Sequence, residues 1–246
     1  MFIDNSKPAL YSRGMRAIFL ADAHLRQPQD ENYQVLLNFL EQQKDLDALF
    51  LLGDIFEFWF GYQHVVFSTY LPLLDKLRQL NENGTKLYFV EGNHDFNLGS
   101  YFATNLNCTI ITDQLKLDWD NTTITISHGD LLNQSRSYQI LRSFWRSWPI
   151  KFLAKTVHPD FAWSFAMWLC SKSSKNNPDN CHFDPTTRLQ SYAETSNSEL
   201  VICGHYHYPL DINHQDVRVI ALGDWIKQFS YAEMIDGHIE LKQFNP

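Results

Sequence analysis

Short apolar runs that stop abruptly at polar donors recur along this chain, and nothing else in it constrains the fold as tightly. Residues 17–21 (Ala-Ile-Phe-Leu-Ala) stop at Asp22, residues 48–52 (Ala-Leu-Phe-Leu-Leu) at Gly53-Asp54, and residues 86–91 at Gly92-Asn93. An unbroken apolar run of about five residues marks a strand buried on both faces. Between the first two runs, residues 33–46 set Val35, Leu36, Phe39 and Leu40 at helical spacing. Between the second and third, residues 65–83 put Leu71, Leu74, Leu77 and Leu80 on one helical face, with Asn83-Gly84 as the stop. Strand and helix in strict alternation predict βαβ units and a parallel sheet.

Further along, the spacing shortens. Residues 109–126 read as shorter strands around a turn at Asp120-Asn121, the second of them delivering His128. Residues 199–203 form another buried strand, ending at Gly204-His205, while 217–223 and 231–244 read as closing strands with Asp236-Gly237 a hairpin turn. Residues 131–195 stand apart as helical, basic and aromatic, carrying Tyr138, Phe144, Trp145, Trp148, Phe152, Phe161, Trp163, Phe165 and Trp168; within them 173–184 are polar and read as a loop. Eight Lys or Arg against three Asp give 131–190 a net +5, whereas the whole chain is −8, so the remainder carries −13. The pattern predicts one domain over residues 1–246 with a helical insertion, or lid, at about 131–195 lying over the site.

Ligands of open α/β sheets collect beyond the carboxyl ends of the strands, so the donors that end these runs should converge. Seven are candidate metal ligands: Asp22, His24, Asp54, Asn93, His128, His205 and His207. Carboxylates, imidazoles and an amide without a thiolate suit Mn²⁺, Fe²⁺ or Zn²⁺ better than Ca²⁺. Seven donors are enough for two divalent cations with Asp54 as the bridge, which is equipment for hydrolysing phosphate esters. His94, beside Asn93, is the candidate catalytic imidazole, stabilising phosphoryl charge or protonating the leaving oxygen. Asp95 is the candidate orienter of His94. Taken singly, each motif has an ordinary reading: most Asp-x-His pairs lie on surfaces, and Gly-Asp is common in turns. Their joint occurrence, in order and each after a strand, carries the inference. Arg136, Lys172 and Lys175 are candidates for the substrate's phosphates, with solvated surface cations as the alternative. The aromatic stripe suits core packing or a ligand pocket equally.

A net charge of −8 argues against a protein that coats nucleic acid. The four cysteines, Cys108, Cys170, Cys181 and Cys203, form no CxxC pair and read as reduced thiols in a cytoplasm. Met1 to Arg16 holds no apolar run of signal-peptide length, and the aromatic-aliphatic stretch 161–170 is too short to cross a bilayer. A cytoplasmic protein is expected, with a peripheral place on a membrane surface open to it.

In order, Asp22-x-His24, Gly53-Asp54, Gly92-Asn93-His94-Asp95, His128 and Gly204-His205-x-His207 resemble the calcineurin-like metallophosphoesterase superfamily over about residues 17–225. The resemblance implies a four-layer α/β/β/α sandwich with a dinuclear site. One metal would take Asp22, His24, Asp54 and His207, and the other Asp54, Asn93, His128 and His205. A narrower resemblance is to the UDP-2,3-diacylglucosamine diphosphatases of lipid A synthesis. It rests on the run 51–60 (Leu-Leu-Gly-Asp-Ile-Phe-Glu-Phe-Trp-Phe), His128-Gly129-Asp130-Leu131, Tyr138-Gln139, and the helical insertion with its Ser/Lys-rich loop. It implies Mn²⁺-dependent cleavage of the pyrophosphate of a lipid-linked UDP-sugar to UMP and lipid X, with two acyl chains held under the lid at the cytoplasmic face of the inner membrane. Two positions differ from the best-known branch of that family: His94 stands where it has Arg, and Ser135-Arg136 where an acidic residue is usual. Two other functions share the fold, a phosphoesterase for a soluble phosphodiester or nucleotide and a non-enzymatic binding module.

Overall fold

The computed structural model describes residues 10–11, 14–132, 136–176 and 184–246. The apolar runs become the middle of two six-stranded sheets. One sheet runs, in spatial order, β12 (His238–Gln243), β11 (Ser230–Ile235), β2 (Arg16–Leu20), β3 (Ala48–Leu51), β4 (Lys86–Val90) and β5 (Thr109–Ile111). The other runs β1 (Leu10–Tyr11), β6 (Gln114–Trp119), β7 (Thr122–Ser127), β8 (Leu200–Cys203), β10 (Val217–Ala221) and β9 (Leu210–His214). β2 to β5 are parallel, with Phe19 beside Phe50 and Phe50 beside Tyr88. β7, β8 and β10 are parallel too.

Alternation along each strand sorts side chains into layers. Ile18, Leu20, Leu49, Leu51 and Phe89 turn to α1 (Glu31–Glu41) and α2 (Leu71–Glu82), where Leu36, Phe39, Leu40, Leu74 and Leu77 meet them. Phe19, Phe50 and Val90 turn the other way, onto Leu117, Ile124, Ile126, Ile202 and Ile220 of the second sheet. Val201, Cys203 and Val219 lie on that sheet's outer face, under Leu189 and Ala193 of α7 (Thr186–Ala193). The result is the α/β/β/α order expected. Both parallel sets point their carboxyl ends to one edge, and cross-ties hold them there: Asp22 N–H donates to Gly53 O (3.1 Å), His24 N–H to Asp54 O (2.9 Å) and Gly204 N–H to His128 O (2.8 Å).

Several elements depart from the pattern read off the sequence. The helix expected over 65–83 begins as one 3-10 turn at Ser68–Tyr70 and is α-helical only from Leu71, with Pro72 in its first turn. α1 stops at Glu41, five residues short of the reading, and Leu46 is buried in the loop after it. β9 was not expected; its apolar content is thin, and pairing with β10 makes it a strand. α3 (Ser100–Asn105), with one buried residue, Phe102, was also not legible.

The segment after β7 supplies α4 (Arg136–Trp145), α5 (Trp148–Thr156) and α6 (Pro159–Asn176). α6 runs four residues into the stretch read as a loop, because nothing before Pro178 bars a helix. Neither α4 nor α5 buries a residue. Trp163 of α6 packs onto Phe58, Phe67 and Tyr70, with ring centroids 4.9 Å apart at Phe67.

Candidate metal centre

Five of the seven candidate donors stand on left-handed backbone: Asp22 (φ 56°), His24 (45°), Asp54 (53°), His205 (74°) and His207 (50°). Such a conformation costs a residue bearing a Cβ on the order of 1–3 kcal/mol and survives only where the surroundings over-determine it. The pairs Asp22/His24 and His205/His207 are therefore kinked, not extended.

Asp54 lies at the centre. Its Oδ1 accepts the N–H groups of Asn93 (2.7 Å) and His94 (2.9 Å). Its Oδ2 takes the Asn93 Nδ2–H (3.2 Å) and lies 3.5 Å from His128 Nε2 and 3.8 Å from His24 Nε2. The loop can pass this close because residue 92 is glycine: a Cβ there would sit 2.2 Å from Asp54 Oδ1. Asp22 Oδ2 accepts the His205 N–H (2.7 Å), while Oδ1, 3.6 Å from His207 Nε2, is buried without a hydrogen-bond partner. His128 Nδ1 donates to Leu52 O (2.8 Å), which leaves Nε2 as the nitrogen facing Asp54. His94 Nδ1 likewise donates to Glu57 O (2.9 Å).

Donor atoms of Asp22, His24 and His207 lie within 4.8 Å of one another, as do those of Asp54, His128 and His205. These are the two groups a dinuclear centre needs, with Asn93 beside the second. Their chemistry fits cations. His24 Nε2 and His207 Nε2 face each other at 3.3 Å, where two lone pairs repel unless a proton or a metal lies between them. The orphaned Asp22 Oδ1 is an acceptor waiting for positive charge.

The fields agree with this. Burial holds the Asp22 carboxyl above the usual carboxylate range. Burial acts on Asp54 the same way, yet the His128 and His94 imidazoles outweigh it and hold Asp54 well below that range. Burial would lower His128, but Asp54 and then Asp22 push it up to about 10. His205 is driven down to about 4, by burial and then by His128. Positive charge is thus drawn to the middle of the cluster, which is what a divalent cation supplies.

Asp95 does not orient His94. Its carboxylate is spent on backbone N–H groups, from Asp54 (2.9 Å), Ile55 (2.7 Å), Phe56 (3.2 Å) and Gly92 (3.0 Å). It stitches the two loops that carry Asp54 and Asn93 together, and His94 is oriented by the Glu57 carbonyl instead. Burial and the neighbouring Asp54 raise Asp95 to about 6.

Glu57 is the site residue the sequence reading missed. It is 4 % exposed; its Oε2 lies 3.4 Å from His24 Nδ1 and its Oε1 accepts Arg26 Nη2–H (3.0 Å). Burial would raise this carboxyl, and His24, His94 and Arg26 together bring it to about 2. A signal existed: an acid inside the run Ile-Phe-Glu-Phe-Trp-Phe must find a cation if the run is buried. Asp224 does what a turn aspartate does, its Oδ1 accepting three N–H groups from residues 226–228, with Oδ2 3.9 Å from His207 Nδ1.

Of the candidate phosphate ligands, Arg136 and Lys172 are not gathered at this centre. Arg136 is exposed, Lys172 is exposed with its ammonium 4.8 Å from the Trp168 ring centre, and the side chain of Lys175 lies outside the described residues. Arg142 and Arg146, two of the eight cations counted in 131–190, turn inward instead, to Asp130 (2.7 Å) and Glu91 (2.8 Å).

The calcineurin-like phosphoesterase family model matches residues 15–209. The chain is 32% identical over 240 residues to a UDP-2,3-diacylglucosamine hydrolase of Shewanella piezotolerans, covering 92% of this chain and 97% of that one. A Pseudomonas aeruginosa protein of the same name is 28% identical over 234 residues, covering 91% and 96%. Among solved structures, an archaeal phosphodiesterase superposes with a TM-score of 0.50 at 13% identity, covering 94% of this chain and all (100%) of that one; this likeness speaks for the fold.

Proposed function

The chain belongs to the calcineurin-like phosphoesterase family, and on that premise we propose that it is a dinuclear hydrolase. Its reaction is cleavage of the pyrophosphate of UDP-2,3-diacylglucosamine to UMP and 2,3-diacylglucosamine 1-phosphate. The observation that carries the metal part is the convergence of the other six donors around Asp54, with an orphaned carboxylate oxygen and two opposed imidazole nitrogens among the seven. Asp22, His24, Asp54 and His207 would hold one cation, and Asp54, Asn93, His128 and His205 the other. Mn²⁺ suits this mixed, thiolate-free set, with Fe²⁺ and Zn²⁺ as alternatives. Two such cations, when bound, lower the pKa of water and neutralise phosphoryl charge. The chain's own part is positional. Asp54 holds both groups together, Asp95 accepts the Asp54 N–H, Gly92 leaves room for the Asp54 carboxylate, and His94 has its Nδ1–H fixed on Glu57 O, so it is as the imidazolium, protonated at Nε2 as well, that it can offer a proton to a phosphoryl or leaving oxygen.

The substrate part rests on the relatives' name and on α4–α6, read as an insertion within one domain spanning 1–246. Large apolar side chains there face solvent, among them Ile140 (71 % exposed), Trp148 (74 %) and Phe161 (74 %). A run of such residues on adjoining helices is far more than a surface normally leaves uncovered. Acyl chains of a lipid-linked substrate and the inner-membrane surface would cover them, with Lys151, Lys155 and Lys172 meeting anionic headgroups. The place proposed is the cytoplasmic face of that membrane, held peripherally; among the described residues no helix is long and apolar enough to cross it.

The test is UMP release from UDP-2,3-diacylglucosamine with Mn²⁺ and detergent, for the protein and its Asp54→Ala variant. Release that depends on Asp54 supports both parts. Turnover of a soluble phosphodiester with no UMP release would keep the metal centre and discard the lipid substrate.

A further inference from the structure

α4 is built inside out. Tyr138, Arg142 and Arg146 recur every four residues, so they share one face, and that polar face is turned to the protein. Ile140, Leu141, Phe144 and Trp145 lie exposed on the remainder. Arg146, one residue past the helix, keeps the helical bond to Arg142 O (3.0 Å).

Each polar residue reaches a loop that carries metal donors. Tyr138 Oη–H lies 3.1 Å from Asn93 Oδ1 and 3.3 Å from Asp130 Oδ2. Arg142 joins Asp130, two residues after His128, and also Asp113 at 3.0 Å. Arg146 goes furthest in. Its side chain is 11% exposed, its Nη1 donates to Glu91 Oε2 (2.8 Å), its Nη2 donates to Gly92 O (2.8 Å), and its guanidinium lies over the Phe96 ring. The other oxygen of Glu91 accepts the Asn97 N–H (2.7 Å) and Leu98 N–H (3.2 Å), closing the loop that carries Asn93 and His94.

The Gly92–Asn93 peptide is therefore pinned at both ends: its carbonyl by Arg146, its N–H by Asp54 Oδ1 (2.7 Å). We propose that Arg146 is a positioning residue for the metal centre, fixing that peptide from the insertion and so tying the lie of α4 to the geometry of Asn93 and Asp54. This rests on the dinuclear reading of the site. A planar fork that serves a carboxylate and a carbonyl at once is a role lysine fills only in part.

The test uses the full chain with Arg146→Gln, Arg146→Lys, Glu91→Gln and the double variant Arg146→Gln/Glu91→Gln. Three quantities are measured: Mn²⁺ affinity by calorimetry, hydrolysis of bis(p-nitrophenyl) phosphate, and metal-free thermal unfolding. Glu91→Gln alone strands a buried guanidinium and should unfold earlier; the double variant removes both charges and should melt near the parent. Arg146→Gln should bind Mn²⁺ about 10–100-fold more weakly, as loss of a residue supporting a metal ligand does. Its kcat should fall with KM little changed, and Arg146→Lys should recover part of both. The double variant, still lacking the donor to Gly92 O, should not regain Mn²⁺ affinity. Parent-like Mn²⁺ affinity in Arg146→Gln, or its return in the double variant, would reduce the pair to a structural ion pair and overturn the proposal. A parent protein that binds no Mn²⁺ would instead sink the dinuclear reading itself, and the proposal with it.

Discussion

Replacing Glu57 by Gln separates two things this carboxylate does. It pairs with Arg26, whose side chain is 50% exposed, and it backs His24 from the side opposite the other donors. The Arg26 pair is half in solvent, so losing it costs between zero and about 1 kcal/mol. The His24 contact matters more. A carboxylate behind a metal-bound imidazole sets its tautomer and raises its basicity, and removing such a group typically weakens metal binding about 10–100-fold. That corresponds to about 1.4–2.7 kcal/mol. Gln keeps the volume and one acceptor oxygen, so packing is preserved and the charge alone is lost. Metal affinity should therefore move more than folding stability does. For a chain of this size, 1 kcal/mol shifts Tm by roughly 2–4 °C. The assay is Mn²⁺ calorimetry beside metal-free thermal unfolding. A drop in Tm with Mn²⁺ affinity intact would refute the reasoning and leave Glu57 as a partner for Arg26 only.

Four other outcomes are expected. Gly92→Ala should abolish turnover, because its Cβ would lie 2.2 Å from Asp54 Oδ1 and 2.4 Å from Asp54 N; a near-normal rate would mean that the two loops can separate freely. His94→Ala should lower kcat while Mn²⁺ content, read by atomic absorption, stays at the parent level, since His94 belongs to neither cation's proposed donor set. The double change Trp148→Ser/Phe161→Ser should leave unfolding within about 0.5 kcal/mol, as for exposed positions elsewhere, yet reduce co-sedimentation with anionic vesicles. Burial would raise Glu233, but Lys242 (2.6 Å) and Arg16 (2.6 Å) outweigh it and hold its carboxyl below the usual range. Its contribution is therefore present above the unfolded-state value and lost as pH falls through the folded one. Glu233→Gln should flatten that acid limb of an unfolding series by less than about 1 kcal/mol.

The alternation of strand and helix, the direction of the strands and the edge at which ligands gather were legible in the chain, because they follow from local pattern. An apolar run that stops at Asp22 or Asp54 announces a buried strand and its carboxyl end without reference to anything distant. The donors were legible for the same reason, since each is a chemical type at the end of such a run. What those residues do to one another was not. That Asp95 serves four backbone N–H groups, and not His94, depends on how the β3 and β4 loops cross. That Glu57 backs His24 depends on two loops 33 residues apart in sequence meeting at 3.4 Å. That Arg142 and Arg146 turn in on Asp130 and Glu91 depends on how the segment after β7 folds back. The left-handed backbone at Asp22, His24, Asp54, His205 and His207 is likewise invisible in the sequence, because local preference opposes it at every one of those positions. Local pattern placed the donors at one edge; packing between distant segments, strong enough to outweigh that preference, decided which way each of them turns.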